Sequence, residues 1–275
     1  MKRNIHNLEK ISNELRFDVV DMIYKSKDGH PGPSLGIGDL MTALYFSEMN
    51  IDPKDPYKPD RDRFILSKGH ACPVVYAALA KLGYFSSELL PTLRTCDSIL
   101  QGHPCMKNTV GIDMTTGSLG NGVAIGTGME IARQRMNGKW YTFVITGDGE
   151  LNEGVIWEAA LAAVHNKCEN LMVFVDFNNH QSGGHTDEVS GINPIAEKWL
   201  AFRWHVQEIN GHDYNQIFAA IDAAKEEKGR PSVIVCKTVK GKGVSYMEDN
   251  NAWHKGVPST EQWEIAKKEL LGGFV

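Results

Sequence analysis

Short apolar runs that stop at glycine or asparagine alternate along this chain with longer stretches whose apolar residues recur every third or fourth position. Residues 140–146 (WYTFVIT) and 171–175 (LMVFV) are runs of β-branched and aromatic residues with no polar face, the pattern of strands covered on both sides of a sheet. Between them, residues 150–166 carry Ile156, Ala159, Ala160, Ala163 and Val164 at helical spacing. The three segments predict a βαβ unit, whose right-handed crossover leaves both strands ending at one edge of a parallel sheet. Further strands are predicted at residues 64–66, 206–209 and 232–236, and helices at 36–49, 71–82, 121–136, 154–166 and 214–228. The stretches 51–60 and 183–194, rich in Pro, Gly, Asp and Asn, read as ordered functional loops. The pattern predicts an α/β fold, a mostly parallel central sheet with helices on both faces, forming a single domain over residues 1–275.

Composition narrows the function classes. With 275 residues and 42% hydrophobic content, the chain is long enough to bury one substantial core. The net charge is -5 without a basic tract, which argues against a nucleic-acid partner, and the mixed cluster at 225–228 reads as a solvated helix end. No 18-residue apolar stretch is present, and MKRNIHNLEK lacks the apolar core of a signal peptide, so a cytoplasmic protein without a membrane partner is expected. The five cysteines are scattered and odd in number, the pattern of reduced thiols rather than a disulfide framework or a metal cage.

Candidate chemistry gathers at the predicted sheet edge. Gly147-Asp148-Gly149 ends the first apolar run, and Asn178 follows thirty positions after the aspartate, just past the second. A carboxylate and an amide oxygen presented together, beside glycines that let backbone approach, suit a hard divalent cation such as magnesium carrying a diphosphate. Taken alone, GDG is as well explained as a tight turn and Asn178-Asn179 as a strand-end cap. Residues 116–122 (TGSLGNG) precede a helical pattern, either as a capping loop or as a ligand-lining segment. No strand leads into it and its third glycine falls one position late for G-x-G-x-x-G, which disfavours a dinucleotide site. Four of the ten histidines, His30, His70, His103 and His254, stand in Gly-His or turn-like contexts. Their unperturbed pKa of ~6.5 suits proton transfer in either direction, although a lone histidine in such a turn is more often a structural hydrogen bonder.

Together these motifs resemble the thiamine diphosphate enzymes, and among them the transketolase family. The likeness is carried by GHPGPS at 29–34, RDRF at 61–64, SKGHA at 67–71, GHP at 102–104, TTGSLG at 115–120, GDG with its distant asparagine, and KTVKGKG at 237–243 ahead of His254. The resemblance implies that Asp148, Asn178 and the backbone carbonyl of His180 hold a magnesium ion, with calcium or manganese as substitutes. It implies that Gly149, at the start of the following helix, faces the diphosphate with His70 and His254. Gly117, Ser118 and Leu119 would line the aminopyrimidine ring, and His30, His103 and His254 would contact the hydroxyls at the reacting end of a sugar phosphate. Glu153, placed on the first turn of the helix after GDG, would join a carboxylate network across a subunit interface.

His180 and the following Gln181-Ser182-Gly183-Gly184 depart from the family's commoner aliphatic and acidic residues, which bears on the shape of that loop. A complete transketolase continues into a pyrimidine-binding domain and a C-terminal domain, which supply the glutamate that activates the cofactor. The resemblance therefore implies the N-terminal subunit of a split transketolase, partnered by a separate C-terminal subunit in an α2β2 heterotetramer. Alternatives are a component resembling 1-deoxyxylulose-5-phosphate synthase or a 2-oxo acid dehydrogenase, or a non-catalytic assembly subunit that keeps the fold.

Overall fold

Long runs of Val, Ile, Leu and Phe without a polar face can be satisfied only where a sheet is covered on both sides, and that is where they lie. The computed structural model describes residues 3–272. They fall into two compact units, one built from residues up to Pro56, His70–Thr115 and the chain from Thr238 onward, the other from Tyr57–Gly69 and Thr116–Lys237.

The second unit holds β1 (Arg63–Leu66), β2 (Thr142–Gly147), β3 (Leu171–Phe177), the short β4 (His180–Gln181) and β5 (Gly184–His185), β6 (His205–Asn210) and β7 (Ser232–Lys237). Five of these form one sheet in the order β1-β2-β3-β7-β6, with every neighbouring pair parallel. The predicted βαβ unit is present, with Gly154–His165 as its crossover helix. Its register sets Gly147 opposite Asp176, so the GDG turn and Asn178 leave the sheet side by side. The helix Asn121–Arg135 packs against β2 and β3.

Two expectations change here. The helix predicted at 154–166 spans Gly154–His165, but the helical spacing read from residue 150 does not reach that far back: Gly149–Asn152 is a separate, tighter 3-10 turn, and Glu153 is the extended N-cap rather than a first-turn residue. The stretch 183–194 is not loop throughout, since Gly184–His185 pairs with His180–Gln181 and Thr186–Ser190 is helical.

The first unit is helical. Ile5–Ser26 buries Leu8, Leu15, Val19, Val20, Met22 and Ile23, but also Ser12 and Arg16, whose polar side chains are held by Asp39. Those two polar residues interrupt the apolar stripe, which is why this helix goes unread in the sequence. The helix predicted at 36–49 is divided into Gly38–Ala43 and a wider turn at Leu44–Glu48, preceded by Pro31–Leu35. Cys72–Leu82 lies as expected, and Thr260–Leu271 closes the unit.

Candidate functional site

Each unit carries its own group of the residues named from sequence. In the sheet unit, Asp148 is 1% exposed and bridges two loop ends: Oδ1 accepts from Gly149 N at 2.7 Å and Oδ2 from Asn179 N at 2.7 Å. Asn178 donates from Nδ2 to Asp176 Oδ2 at 2.7 Å, while its Oδ1 accepts from His180 N at 3.0 Å. Pinning the amide nitrogen fixes which side of Asn178 is oxygen. Asp176 in turn accepts from Lys68 Nζ at 2.6 Å, an ion pair in which both side chains are buried. Burial first, and the Asp176 charge second, push the Asp148 carboxyl up to about 7. Such a corner favours a cation beside it, and an all-oxygen donor pair suits a hard one. Among the described residues there is no cluster of three or more His, Cys, Asp or Glu side chains that could hold a metal. The His180 ring lies against His185 across the short β4-β5 pair, with ring centroids 5.8 Å apart.

The same unit positions the 116–122 segment through a residue that sequence reading passed over. Glu150 is buried in the 3-10 turn that follows β2, and its Oε2 accepts from Thr146 Oγ1 at 2.8 Å and Gly147 N at 3.0 Å. Its Oε1 takes Ser67 Oγ at 2.5 Å and Gly120 N at 2.7 Å, and Ser67 Oγ accepts from Gly122 N at 3.1 Å. One carboxylate thus ties the ends of β1 and β2 to the loop that presents Gly117, Ser118 and Leu119. Ser118 is exposed and its two neighbours half-buried. Gly120 has φ 85, and a Cβ there would lie 2.7 Å from Glu153 Cβ, so only glycine closes this loop. Glu153 itself is exposed and makes no capping bond. The signal for Glu150, Lys68 and Asp176 was a charge set at the end of an otherwise apolar strand, since charged residues are rarely fully buried unless paired.

In the helical unit, three of the four motif histidines converge. His30 precedes the helix Pro31–Leu35, His70 sits in the turn Gly69–Ala71 and His254 in the turn Asn251–His254. Their ring centroids form a triangle of 5.3 Å, 5.6 Å and 5.1 Å for His30–His70, His30–His254 and His70–His254. His103 stands outside this triangle, exposed on its own Gly-His-Pro turn, near enough for its charge to act on His30. Burial, then the charges of Arg94, Lys255 and His103, push His30 down to about 4, and burial with Arg94 also lowers His103. Both imidazoles are therefore neutral near pH 7 and able to accept a proton. The Nδ1 atom of His30 is buried without a hydrogen-bond partner, so the ring retains capacity for a ligand.

Comparison with known proteins identifies the family. Residues 8–273 match the family model described as the transketolase thiamine diphosphate binding domain. The chain is 45% identical over 264 residues to the 6-deoxy-6-sulfo-D-fructose transketolase subunit SqwG of Clostridium sp. (strain MSTE9), covering 96% of each chain. It is 40% identical over 266 residues to an apulose-4-phosphate transketolase subunit of Phocaeicola vulgatus, covering 97% of this chain and 94% of that one. Among solved structures, transketolase from Leishmania mexicana superposes with a TM-score of 0.92 at 34% identity, over 96% of this chain and 41% of that protein. The chain belongs to the transketolase family and carries its thiamine diphosphate binding domain.

Proposed function

We propose that this chain is the cofactor-anchoring subunit of a two-component transketolase, which moves a two-carbon ketol unit from a ketose to an aldose acceptor. A separate subunit bearing the pyrimidine-binding and C-terminal domains completes the enzyme as an α2β2 heterotetramer in the cytoplasm. The observation that carries this reading is the match over 96% of both chains to a relative itself named a transketolase subunit. The named relatives act on sugars bearing a sulfonate or a phosphate, which makes an anionic ketose the substrate class.

Bound thiamine diphosphate supplies an electron sink for the carbon–carbon bond that breaks. The residues of this chain bind, orient and move protons around it. Asp148, Asn178 and the His180 carbonyl hold magnesium, or calcium or manganese in its place, and Gly149, His70 and His254 face the diphosphate. Gly117, Ser118 and Leu119 line the ring, and the exposed Glu153 is available to a carboxylate of the partner subunit. His30 and His103, neutral near pH 7, take the proton from the donor hydroxyl and return one to the acceptor oxygen, with His254 orienting the hydroxyls.

Isothermal titration of thiamine diphosphate with magnesium or with EDTA, on the chain alone and with its partner, tests the anchoring role. Ketol transfer from anionic ketoses is then followed on both preparations. Metal-dependent binding with transfer confined to the complex is expected. Transfer by the isolated chain at the rate of the complex would refute the split-enzyme reading, and a complex that binds no cofactor would refute the anchoring role.

A further inference from the structure

Arg94 belongs to neither Gly-His-Pro turn and bonds to both of their surroundings. Its Nε donates to Asp28 Oδ2 at 2.8 Å, two residues before His30, and its Nη1 donates to the carbonyl oxygen of Gly102 at 3.4 Å, next to His103. Any side chain at Gly102 would collide with the Arg94 guanidinium, so the glycine of that turn admits it. Asp28 also accepts an ion pair from Lys255 at 3.2 Å, and Lys255 follows His254 in the chain. Arg94 has a left-handed backbone, φ 60, an uncommon conformation for a residue other than glycine, and its N–H is fixed by Leu100 O at 2.8 Å. Local strain of this kind persists where the surroundings over-determine it, and it clusters at functional sites.

We propose that Arg94 is a positioning residue whose forked guanidinium holds the two Gly-His-Pro turns at a fixed spacing, with the Asp28–Lys255 pair extending that hold to the segment bearing His254. The inference rests on the assignment of His30, His103 and His254 to the substrate hydroxyls. A planar guanidinium bonds two acceptors at once in a way an ammonium cannot. The clamp also has an electrostatic consequence. The groups facing His30 are the cations Arg94 and Lys255, the carboxylate of Asp28, the His103 imidazole and the rings of His70 and His254. After burial, the two cations contribute most to keeping His30 unprotonated, and Asp28 opposes them.

Histidine titration by NMR on the full chain separates this clamp from a merely structural residue. Arg94→Gln should raise the pKa of both His30 and His103 by roughly half a pH unit or more, whereas Asp28→Asn should lower that of His30. General loosening of the fold would move His30 in the same direction in both variants. Unmoved histidines in Arg94→Gln, or shifts of one sign in both variants, overturn the proposal. Should Arg94→Gln not fold, Lys255→Gln puts the same question to His30 alone.

In the complex with the partner subunit, Arg94→Lys keeps the charge and loses the fork. Its kcat should fall about 10- to 100-fold, the scale of a small misplacement of reacting groups, with thiamine diphosphate affinity unchanged. Turnover at the wild-type rate would overturn the positioning role. A wild-type complex without ketol transfer would count against the proposed function instead, and the NMR titration would still decide the clamp.

Discussion

Asp148 has two tasks that a single substitution separates. Its oxygens accept from Gly149 N and Asn179 N, and the same carboxylate is the strongest candidate for holding a cation. Asp148→Asn keeps the shape and one acceptor, so the fold should survive. Metal-dependent thiamine diphosphate affinity should fall by more than ~100-fold, beyond the 10- to 100-fold that loss of an outer-shell partner costs. Calorimetric titration with and without magnesium checks it, and undiminished binding would remove Asp148 from the metal site. Lys68 has a structural role next door. Lys68→Met strands the fully buried Asp176 carboxylate and should cost about 3–5 kcal/mol, read from urea unfolding. Adding Asp176→Asn removes the stranded charge and should restore much of that loss. A double variant no more stable than the single would show that the ion pair is not the cause.

At the scale of elements, the sheet was legible and several helices were not. β2 and β3 are built around the continuous apolar runs 143–145 and 171–175, so their existence, order and parallel pairing follow from hydrophobic pattern and crossover handedness. The helix Ile5–Ser26 is masked by Ser12 and Arg16 on its buried face, where Asp39 satisfies them from a distant part of the chain. Thr260–Leu271 has only Ala266 and Leu270 buried, too sparse a stripe for periodicity, yet its start is well marked. Ser259 Oγ accepts from Gln262 N at 3.2 Å, while Gln262 Oε1 accepts from Ser259 N at 2.9 Å. Ser259→Ala should lower stability by about 1 kcal/mol and Ser259→Gly by only a few tenths, since glycine is a tolerable N-cap. Equal urea midpoints for wild type and Ser259→Ala would show that the capping box contributes nothing.

For the whole molecule, several shifted groups couple stability to pH, and His30 and Asp18 do so in opposite senses. His30 titrates at about 4 when folded against an ordinary 6.5, so the unfolded chain binds the extra proton between those values and stability falls as pH drops through the interval. Asp18 is raised by burial to about 6 from 3.8, so the folded chain holds the extra proton and stability rises as pH drops from 6 toward 3.8. His30→Gln should therefore flatten the acid loss, and Asp18→Asn should stabilise the protein at neutral pH while steepening the relative loss below pH 6. Urea midpoints measured above and within that window check both. Identical pH profiles for all three proteins would exclude these residues as the source.

The sequence by itself determined the parallel α/β sheet, the edge at which Asp148 and Asn178 emerge, and the histidines worth attention. The sheet and its edge depend on local periodicity and on spacing within one βαβ unit, which a linear pattern records, and the histidines on the short motifs that carry the family resemblance. Only the tertiary structure brought His30, His70 and His254 into one triangle, buried Glu150 as the tie between two strand ends and a loop, and set Arg94 against both Gly-His-Pro turns. Apart from the Arg94–Gly102 bond, each of these contacts joins residues far apart in the chain through polar side chains. Their partners carry no periodic signal, because a charge is buried only where the folded chain delivers its counterpart.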